Sequence, residues 1–219
     1  MKRTVESELL DGDCGTPAEI AGALADLRRV NRWFGGVTTS ERLLERVVNE
    51  SALRQFELLD VGSGSGDVPL ALVRRFERRG VRLSATLLDQ HGTHLPQLQT
   101  AVIGDALDLP FPPESYDLVT CSLLVHHFEP PMLKRFVQEA LRVARIALII
   151  NDLRRSRLHL ALVTAARPLF RSRMAWRDGI VSIRRAYTEQ ELRGLLTGAG
   201  RRVEIRRHYL QRMGAIVWK

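Results

Sequence analysis

The sequence predicts an α/β protein in which a parallel sheet carries helices on both faces and binds a ligand at the ends of its strands. The apolar run 58–61 has the composition of a buried strand. It ends at Gly62, Gly64 and Gly66, and a helical pattern follows over 68–79. Glycines between a strand and a helix let a ligand approach backbone N–H groups at the helix N-terminus. The simplest interpretation is a nucleotide or nucleoside site at the end of this first strand.

Acidic residues end the next two predicted strands. The run 81–89 predicts a second strand that ends at Asp89, where a carboxylate is placed to accept both hydroxyls of a ribose. Residues 101–106 predict a third strand, with Asp105 at its end. A single loop aspartate is usually only a solvated acid. Asp60, Asp89 and Asp105, in this order and together with the glycine turn, favour a nucleoside ligand.

The spacing of the glycines distinguishes between cofactors. A dinucleotide fingerprint, G-x-G-x-x-G/A, would need a small residue at position 67, where this chain has Asp67. The observed spacing is G-x-G-x-G with Asp60 before it, and it resembles motif I of the class I S-adenosylmethionine (SAM) methyltransferases. SAM has no pyrophosphate, and its zwitterionic methionine end suits a turn that offers carbonyls, N–H groups and nearby acids. A plain strand-to-helix turn is the alternative.

This resemblance implies a set of cofactor contacts. In the methyltransferase family the acid at position 105 accepts a hydrogen bond from the adenine amino group, and the backbone N–H of the next residue meets the ring. The residues expected to bind SAM are Asp60, Gly62, Ser63, Gly64, Gly66, Asp89, Gln90, Asp105, Ala106 and Ser122.

The fourth predicted strand, 116–122, strengthens the resemblance. It begins with Y-D-L-V and leads into L-L-V-H-H-F over 123–128. A D-L-V strand followed by L-x-H-H-F is similar to the methyltransferase type 11 family, and ubiquinone and menaquinone methyltransferases belong to the same broad group. The similarity covers 55–152 well and 186–219 by pattern only. It implies a Rossmann-like, seven-stranded, doubly wound sheet of order 3-2-1-4-5-7-6, in which strand seven is antiparallel.

One departure from the family pattern lies between the second and third strands. Asp89 and Asp105 are only 16 positions apart, and Gly92 and Pro96 interrupt the segment. We therefore expect the helix between these strands to be cut to a turn or two. This puts the wall of the adenine pocket on that side in doubt, although not the identity of the cofactor.

The N-terminal part predicts a helical cap over residues 1–50. Apolar residues recur at helical spacing over 17–30, and a second helix is expected from Thr39 or Ser40 to Val48. The methyltransferase core is then 51–152 together with 186–219.

The second core segment closes the sheet. It opens with a capping box at Thr188–Glu191, which predicts a short helix. An antiparallel pair of strands is expected over 203–209 and 214–218.

Residues 153–185 form an insertion after the fifth strand, 146–150. A segment at this place lies over the carboxyl edge of the sheet, so we predict a helical lid whose apolar face lines an acceptor pocket. A surface hairpin packed on the core is an equally open alternative. Its arginines could also touch a membrane surface, so at most peripheral membrane contact is expected.

Three residues are candidates for the chemistry. His126 and His127 follow the fourth strand, beside the expected methyl position, and Asp152 closes the fifth strand across the same cleft. We expect one histidine, oriented by Asp152, to act as a general base or to position the acceptor. At least one of the two histidines is expected to be a packing or capping residue. The sequence shows no metal-spaced cluster, so no metal is predicted.

The predicted acceptor is a small apolar or aromatic molecule, such as a phenol, a quinone or a polyketide-like compound. Trp33, Phe34 and Trp176 are the expected walls of its pocket. The N-terminal segment and the lid also resemble those of bacterial methyltransferases of secondary metabolism. Methylation at oxygen or carbon is expected. An RNA or protein methyltransferase with an open basic site is the first alternative, and a SAM-binding protein that acts only by interaction is the second.

Charge and cysteine content restrict the partners. The formal net charge is +8, but the arginines occur in pairs spread over predicted helices and no stacking-aromatic motif accompanies them. We therefore expect no specific nucleic-acid partner. Cys14 and Cys121 form neither a disulfide framework nor a metal-ligand spacing, which predicts a reducing cytoplasm. The sequence does not indicate an oligomeric state.

Overall fold

A computed structural model describes residues 1–12 and 14–219 and contains a seven-stranded sheet of order β3-β2-β1-β4-β5-β7-β6. The first five strands are parallel to one another, and β7 runs antiparallel to both β5 and β6. This order confirms the predicted Rossmann-like, doubly wound α/β fold. The strands are β1 Gln55–Val61, β2 Arg82–Asp89, β3 Ala101–Ile103, β4 Tyr116–Ser122, β5 Ala144–Leu153, β6 Arg202–His208 and β7 Arg212–Trp218.

Helices cover both faces of this sheet. The α-helices are α1 Pro17–Trp33, α2 Gly36–Glu50, α3 Asp67–Glu77, α4 Pro130–Val143, α5 Arg157–Ala165, α6 Arg173–Arg185 and α7 Glu189–Leu196. Short 3₁₀ turns lie at Leu10–Gly12, Val125–His127, Arg167–Leu169 and Tyr209–Gln211.

Helix ends follow the local signals of the sequence. Thr188 caps α7 by accepting a hydrogen bond from the Glu191 N–H, and the Glu191 carboxylate accepts from the Thr188 N–H, so the predicted capping box is confirmed. Thr16 and Glu19 form the same arrangement at the start of α1. Such caps satisfy N–H groups that a helix leaves unpaired at its N-terminus.

The strand order places the ligand site. β1 pairs with β2 on one side and with β4 on the other, so the chain reverses its direction of winding between β1 and β4. In open α/β sheets a crevice forms at this point, outside the carboxyl ends of the strands. The ends of β1, β2, β4 and β5 therefore meet at one edge.

Two predicted elements differ from the structure. The third strand stops at Ile103, so Asp105 and Ala106 lie in the loop after it, and Asp105 forms an isolated bridge with Asp108. The connection 90–100 contains turns and no helix, which is one step beyond the shortening that the sequence predicted.

The N-terminal cap is only partly separate from the core. Helix α2 buries Val37, Leu43, Leu44, Val47 and Val48 in the same apolar cluster as residues of β1, β2 and β7. This helix is thus one of the layers that cover the sheet, whereas α1 packs against α6 of the insertion. Among the described residues, none of the helices has both the length and the apolar character that crossing a bilayer requires.

Leu44→Ala tests whether α2 belongs to the core. Leu44 is fully buried, at 0% exposure, so its truncation leaves a cavity and we expect the free energy of unfolding to fall by about 2–5 kcal/mol. Leu158→Ala in α5 is the matched control, because Leu158 is 58% exposed. We expect that variant to stay within about 0.5 kcal/mol of the parent. Urea unfolding measures the free energy of unfolding of both variants. An equally small decrease in the two variants would show that α2 is peripheral.

Candidate active site

A cavity of about 420 Å³ opens at the carboxyl edge of the sheet. One end is formed by the glycine turn after β1, and the other by the 3₁₀ turn Val125–His127 after β4. The helices α1 and α6 and the N-terminal residues Glu8, Leu10 and Asp11 cover it. The volume lies in the range of pockets that hold cofactors and small ligands.

The glycine turn is shaped by backbone that favours glycine. Gly62, Gly64 and Gly66 have φ of +70°, +49° and +67°. A Cβ atom on Gly64 would face open space in the cavity, whereas one on Gly66 would collide with the Leu87 side chain. Gly62 and Gly64 line the cavity and Gly66 does not. Gly66 therefore allows close packing of the turn on β2, and its predicted ligand contact is not supported.

Asp60 lies under this turn as a buried carboxylate. Its Oδ1 accepts a hydrogen bond from Thr120 Oγ1 at 2.6 Å, and its Oδ2 accepts from Ser63 Oγ at 2.8 Å. Burial raises the pKa of Asp60 to about 7, against the lowering effect of the two hydroxyl groups. A carboxylate held in this way at the cavity wall favours a cationic ligand group, because a positive charge would offset the cost of ionisation.

Asp89 ties the end of β2 to the glycine turn. Its Oδ2 accepts a hydrogen bond from the Gly64 N–H at 2.8 Å, and its Oδ1 accepts from the His91 N–H at 3.0 Å. Each carboxylate oxygen has capacity for a second hydrogen bond. The side chain can therefore accept ribose hydroxyls while it holds the turn.

The other predicted cofactor residues reach the same cavity. Ser63, Gln90, Asp105, Ala106 and Ser122 all line it. Asp105 Oδ1 accepts a hydrogen bond from the Leu107 N–H at 2.8 Å, which fixes the loop after β3. The structure thus brings together every predicted cofactor residue except Gly66, and the ribose and adenine contacts remain predictions.

His126 is locked by Asp152. The Asp152 carboxylate accepts hydrogen bonds from His126 Nδ1 at 2.7 Å and from the His126 backbone N–H at 3.1 Å. Burial would lower the pKa of His126, but Asp152 and Glu8 together raise it to about 10. An imidazole that is protonated near neutral pH cannot accept a further proton. The contacts with Asp152 and Glu8, and the raised pKa that they cause, therefore favour a positioning role for His126 and not the role of a general base.

The sequence did not indicate two acids that meet these histidines. Glu8 Oε1 lies 3.3 Å from His126 Nε2, and Asp11 Oδ2 lies 2.8 Å from His127 Nδ1. Burial raises the pKa of Glu8, but the contact with His126 more than reverses this and leaves it below its ordinary value. Both acids precede α1, in a stretch with no periodic pattern, so no local signal could have found them.

Hydrogen bonds to α6 hold this N-terminal segment over the site. The Asp178 carboxylate accepts from the N–H groups of Leu9 and Leu10, both at 3.0 Å. Ser182 Oγ donates to Glu8 Oε1 at 2.8 Å, and Arg185 donates to the Glu6 carbonyl at 2.9 Å. The insertion and residues 8–11 therefore line the cavity together, as the predicted lid would, and a lid role stays a prediction.

Three predicted pocket residues lie outside the cavity. Trp33 is 66% exposed and Phe34 is 41% exposed, and neither lines the cavity. Trp176 packs on the lid, where its indole N–H donates to the Val163 carbonyl at 3.1 Å. The apolar walls are instead Leu24, Leu27, Val30, Phe128, Met132, Val163, Phe170 and Ile183.

A buried cation contacts a residue of the cavity wall. Arg212 is 1% exposed, donates from Nη2 to Asn31 Oδ1 at 3.2 Å, and has no partner for Nη1. Burial lowers its pKa to about 10, so it stays charged near neutral pH. Asn31 lines the cavity. Asp60, which does line the cavity, fits the cationic group of a zwitterionic ligand end.

Comparison with known proteins agrees with these features. Residues 59–147 match a family model described as a methyltransferase domain. A 2-methyl-6-phytyl-1,4-hydroquinone methyltransferase of Oryza sativa subsp. japonica is 33% identical over 42% of this chain and 27% of its own length. The ubiquinone/menaquinone biosynthesis C-methyltransferase UbiE of Rickettsia bellii is 29% identical over 47% of each chain. The matched part of the chain thus spans less than half of the length of each of these relatives.

A solved structure shows the same fold. The plantazolicin methyltransferase BamL, in complex with a triazolic desmethylPZN analog and S-adenosylhomocysteine (SAH), superposes with a TM-score of 0.64 at 14% identity, over 88% of this chain and 89% of that one. The strand order, the glycine turn and the strand-end acids define a class I SAM-binding domain. Residues 59–147 therefore correspond to a methyltransferase domain of the class I type, and SAM is the cofactor of that domain.

Asp60→Asn tests the buried carboxylate through pH. Because the folded pKa of Asp60 is about 7 and the ordinary value is 3.8, the unfolded chain loses this proton first. The favourable contribution of protonated Asp60 is full below about pH 4 and is lost as the pH rises through 7. We expect the unfolding free energy of the parent, relative to the variant, to fall by up to about 4 kcal/mol over this range. If the difference in unfolding free energy between parent and variant did not change with pH, the raised pKa of Asp60 would be wrong.

Asp89→Ala tests the ribose acid. We expect SAM affinity to weaken by about 1.5–3 kcal/mol, the scale of hydrogen bonds to a charged group, and some stability to be lost because two N–H groups lose their acceptor. Asp117→Ala is the matched control, since Asp117 also accepts a backbone hydrogen bond, from Glu57, but at the start of β4. Calorimetry with SAM and SAH measures the affinities. Equal affinities in both variants would show that Asp89 only holds the turn.

Proposed function

We propose that this protein transfers a methyl group from SAM to an oxygen or a ring carbon of a small aromatic acceptor that carries a hydroxyl group, such as a phenol or hydroquinone. The observation that carries this proposal is the continuous cavity between the glycine turn and the pair His126 and His127. Its two ends suit two ligands, and the lid covers both. SAM, when bound, supplies an activated methyl group.

The acceptor end of the cavity has apolar walls and one polar corner. Phe128, Val163 and Phe170 offer surfaces to an aromatic body. Glu8, His126 and His127 form the corner where a hydroxyl group can be bound. An acceptor held in this way needs few other contacts, because alignment with the methyl group is the main demand of the reaction.

His126, His127 and Asp152 are the proposed functional residues. Asp152 orients the His126 ring through two hydrogen bonds and is itself buried behind it. The raised pKa of His126 favours a ring that donates hydrogen bonds or stabilises negative charge on the acceptor oxygen. His127 lies beside it, with ring centroids 4.1 Å apart. We assign both histidines to positioning of the acceptor.

The relatives support this class of acceptor. Their names specify a hydroquinone and the biosynthesis of ubiquinone and menaquinone. The hydroquinone is an aromatic ring with hydroxyl groups, which matches the polar corner and apolar walls described above. The acceptor of this chain is proposed at the level of that chemistry, and a role in secondary metabolism is part of the proposal.

The alternatives fit the site less well. An RNA or protein methyltransferase would need an open approach lined with basic residues, whereas here the lid and residues 8–11 cover the cavity. Several arginines are neutralised by acids, such as Arg75 and Arg79 by Glu41. A non-catalytic SAM-binding protein would need no space beside the cofactor. A cytoplasmic location stays a prediction from the sequence.

Transfer of labelled methyl from SAM to a panel of phenols and hydroquinones tests the function. For an accepted substrate we expect His127→Ala to lower turnover by roughly 10²-fold, the scale of a lost positioning contact, with SAM affinity almost unchanged. Trp33→Ala is the control and should retain full turnover, because Trp33 lies outside the cavity. If the protein methylated RNA or protein and none of the small acceptors, the proposed function would be wrong and an RNA or protein methyltransferase would replace it.

A further inference from the structure

A second feature of the acceptor corner is the way in which its side chains face one another. Among the described residues, Glu8, His126 and His127 each offer one atom within 4.8 Å of the others. Glu8 and His126 are buried, and His127 is nearly so, with 19% of its side chain exposed. All three line the cavity. The sequence predicted no metal, because Glu8 is separated from the histidines by more than a hundred residues.

Both imidazole rings use Nδ1 to contact a carboxylate. His126 Nδ1 lies 2.7 Å from Asp152 Oδ1, and His127 Nδ1 lies 2.8 Å from Asp11 Oδ2. A carboxylate only accepts, so each Nδ1 carries the proton. This arrangement of carboxylate, histidine and free Nε2 is the one that orients histidine ligands in protein metal sites.

The two Nε2 atoms then point at the same oxygen. Glu8 Oε1 lies 3.3 Å from His126 Nε2 and 3.9 Å from His127 Nε2. The shorter contact is not aligned as a hydrogen bond, and His126 Nε2 is buried without a hydrogen-bond partner among residues 1–12 and 14–219. Ligands at about 2.0–2.1 Å from a tetrahedral Zn²⁺ lie about 3.3 Å from one another. The observed separations are close to that spacing.

The charges of the corner also allow a cation. Glu8, Asp11 and Asp152 supply three negative charges, and Arg185, whose Nη1 lies 3.5 Å from Asp11 Oδ2, supplies one positive charge. A metal ion at Nε2 would take the place of the proton that Asp152 and Glu8 favour on His126. With both rings then neutral, a divalent ion would balance the remaining two negative charges. Two imidazole donors and one carboxylate are the ligands of catalytic zinc sites, in which the fourth position stays open.

We propose that Glu8, His126 and His127 bind a divalent transition-metal ion, with Zn²⁺ as the expected metal, and that Asp152 and Asp11 orient the two histidines. The open position faces the cavity and takes the hydroxyl oxygen of the acceptor. This role in acceptor binding rests on the proposed function, whereas metal binding by the three side chains does not. The alternative is a pair of imidazolium ions held by the three acids.

Metal-stripped protein titrated with Co²⁺ and with Zn²⁺ tests the site. We expect one equivalent to bind, with the visible absorption of four-coordinate Co²⁺, and Zn²⁺ to displace it. Glu8→Gln and His127→Ala should each weaken binding by at least 10-fold, and Asp11→Asn by about 10–100-fold as an orienting residue. Glu6→Gln and His208→Ala are the matched controls and should bind as the parent does. Circular dichroism confirms that each variant is folded.

Two results would overturn the metal site. One is the absence of stoichiometric binding by the folded parent. The other is equal binding by Glu8→Gln, His127→Ala and the controls. Nitrogen-15 spectra of the imidazoles in the presence of Zn²⁺ add an independent readout, because two fully protonated rings would establish the imidazolium alternative. Metal binding without methylation of any phenol or hydroquinone would refute the proposed function and leave the metal site in place.

Discussion

The hydrogen bonds between Asp152 and His126 determine the geometry of the acceptor half of this molecule. The carboxylate at the end of β5 holds both the ring and the backbone of the residue that follows β4. Because Asp152 is only 1% exposed, this pair sits where charge interactions are strong and water does not compete. The His126 ring presents a fixed Nε2 to the cavity, and Glu8 and the N-terminal segment are arranged around that atom.

In the cofactor half of the site, buried carboxylates also hold neighbouring groups in place through hydrogen bonds. Asp60 supports the turn from below through Thr120 and Ser63, and Asp89 holds it from the side through the Gly64 N–H. Both acids are buried or nearly so at strand ends. The parallel sheet provides the reason, because strands that run the same way end at the same edge and bring polar residues together that are far apart in the chain.

The sequence could predict the parts of this site that are encoded locally. The positions of Asp60, Asp89 and Asp105 follow from short apolar runs that end in glycine or acid, and His126, His127 and Asp152 follow from the same logic. These residues do surround the cavity or support its wall.

The remaining parts depend on long-range contacts. Glu8 and Asp11 meet the histidines only because Asp178 on α6 accepts the N–H groups of Leu9 and Leu10. The aromatic character of Trp33 and Phe34 predicts a place in the pocket wall, but α1 continues to Trp33 and leaves that side chain in solvent. Aromatic character alone cannot decide between a pocket wall and an exposed surface.

The N-terminal segment supplies Glu8 to the acceptor corner and also forms part of the cavity wall. Residues of the segment and of α6 line the same cavity, so an acceptor bound in the corner contacts the segment directly. The segment is attached by hydrogen bonds to Asp178, Ser182 and Arg185. Leu9 and Leu10 add apolar contacts, because they pack against a small cluster formed by α1 and α6. Glu8 completes the corner only while the segment keeps this position, so any ligand that contacts Glu8 stabilises the segment there. A segment held in this way would also exclude water from the activated methyl group.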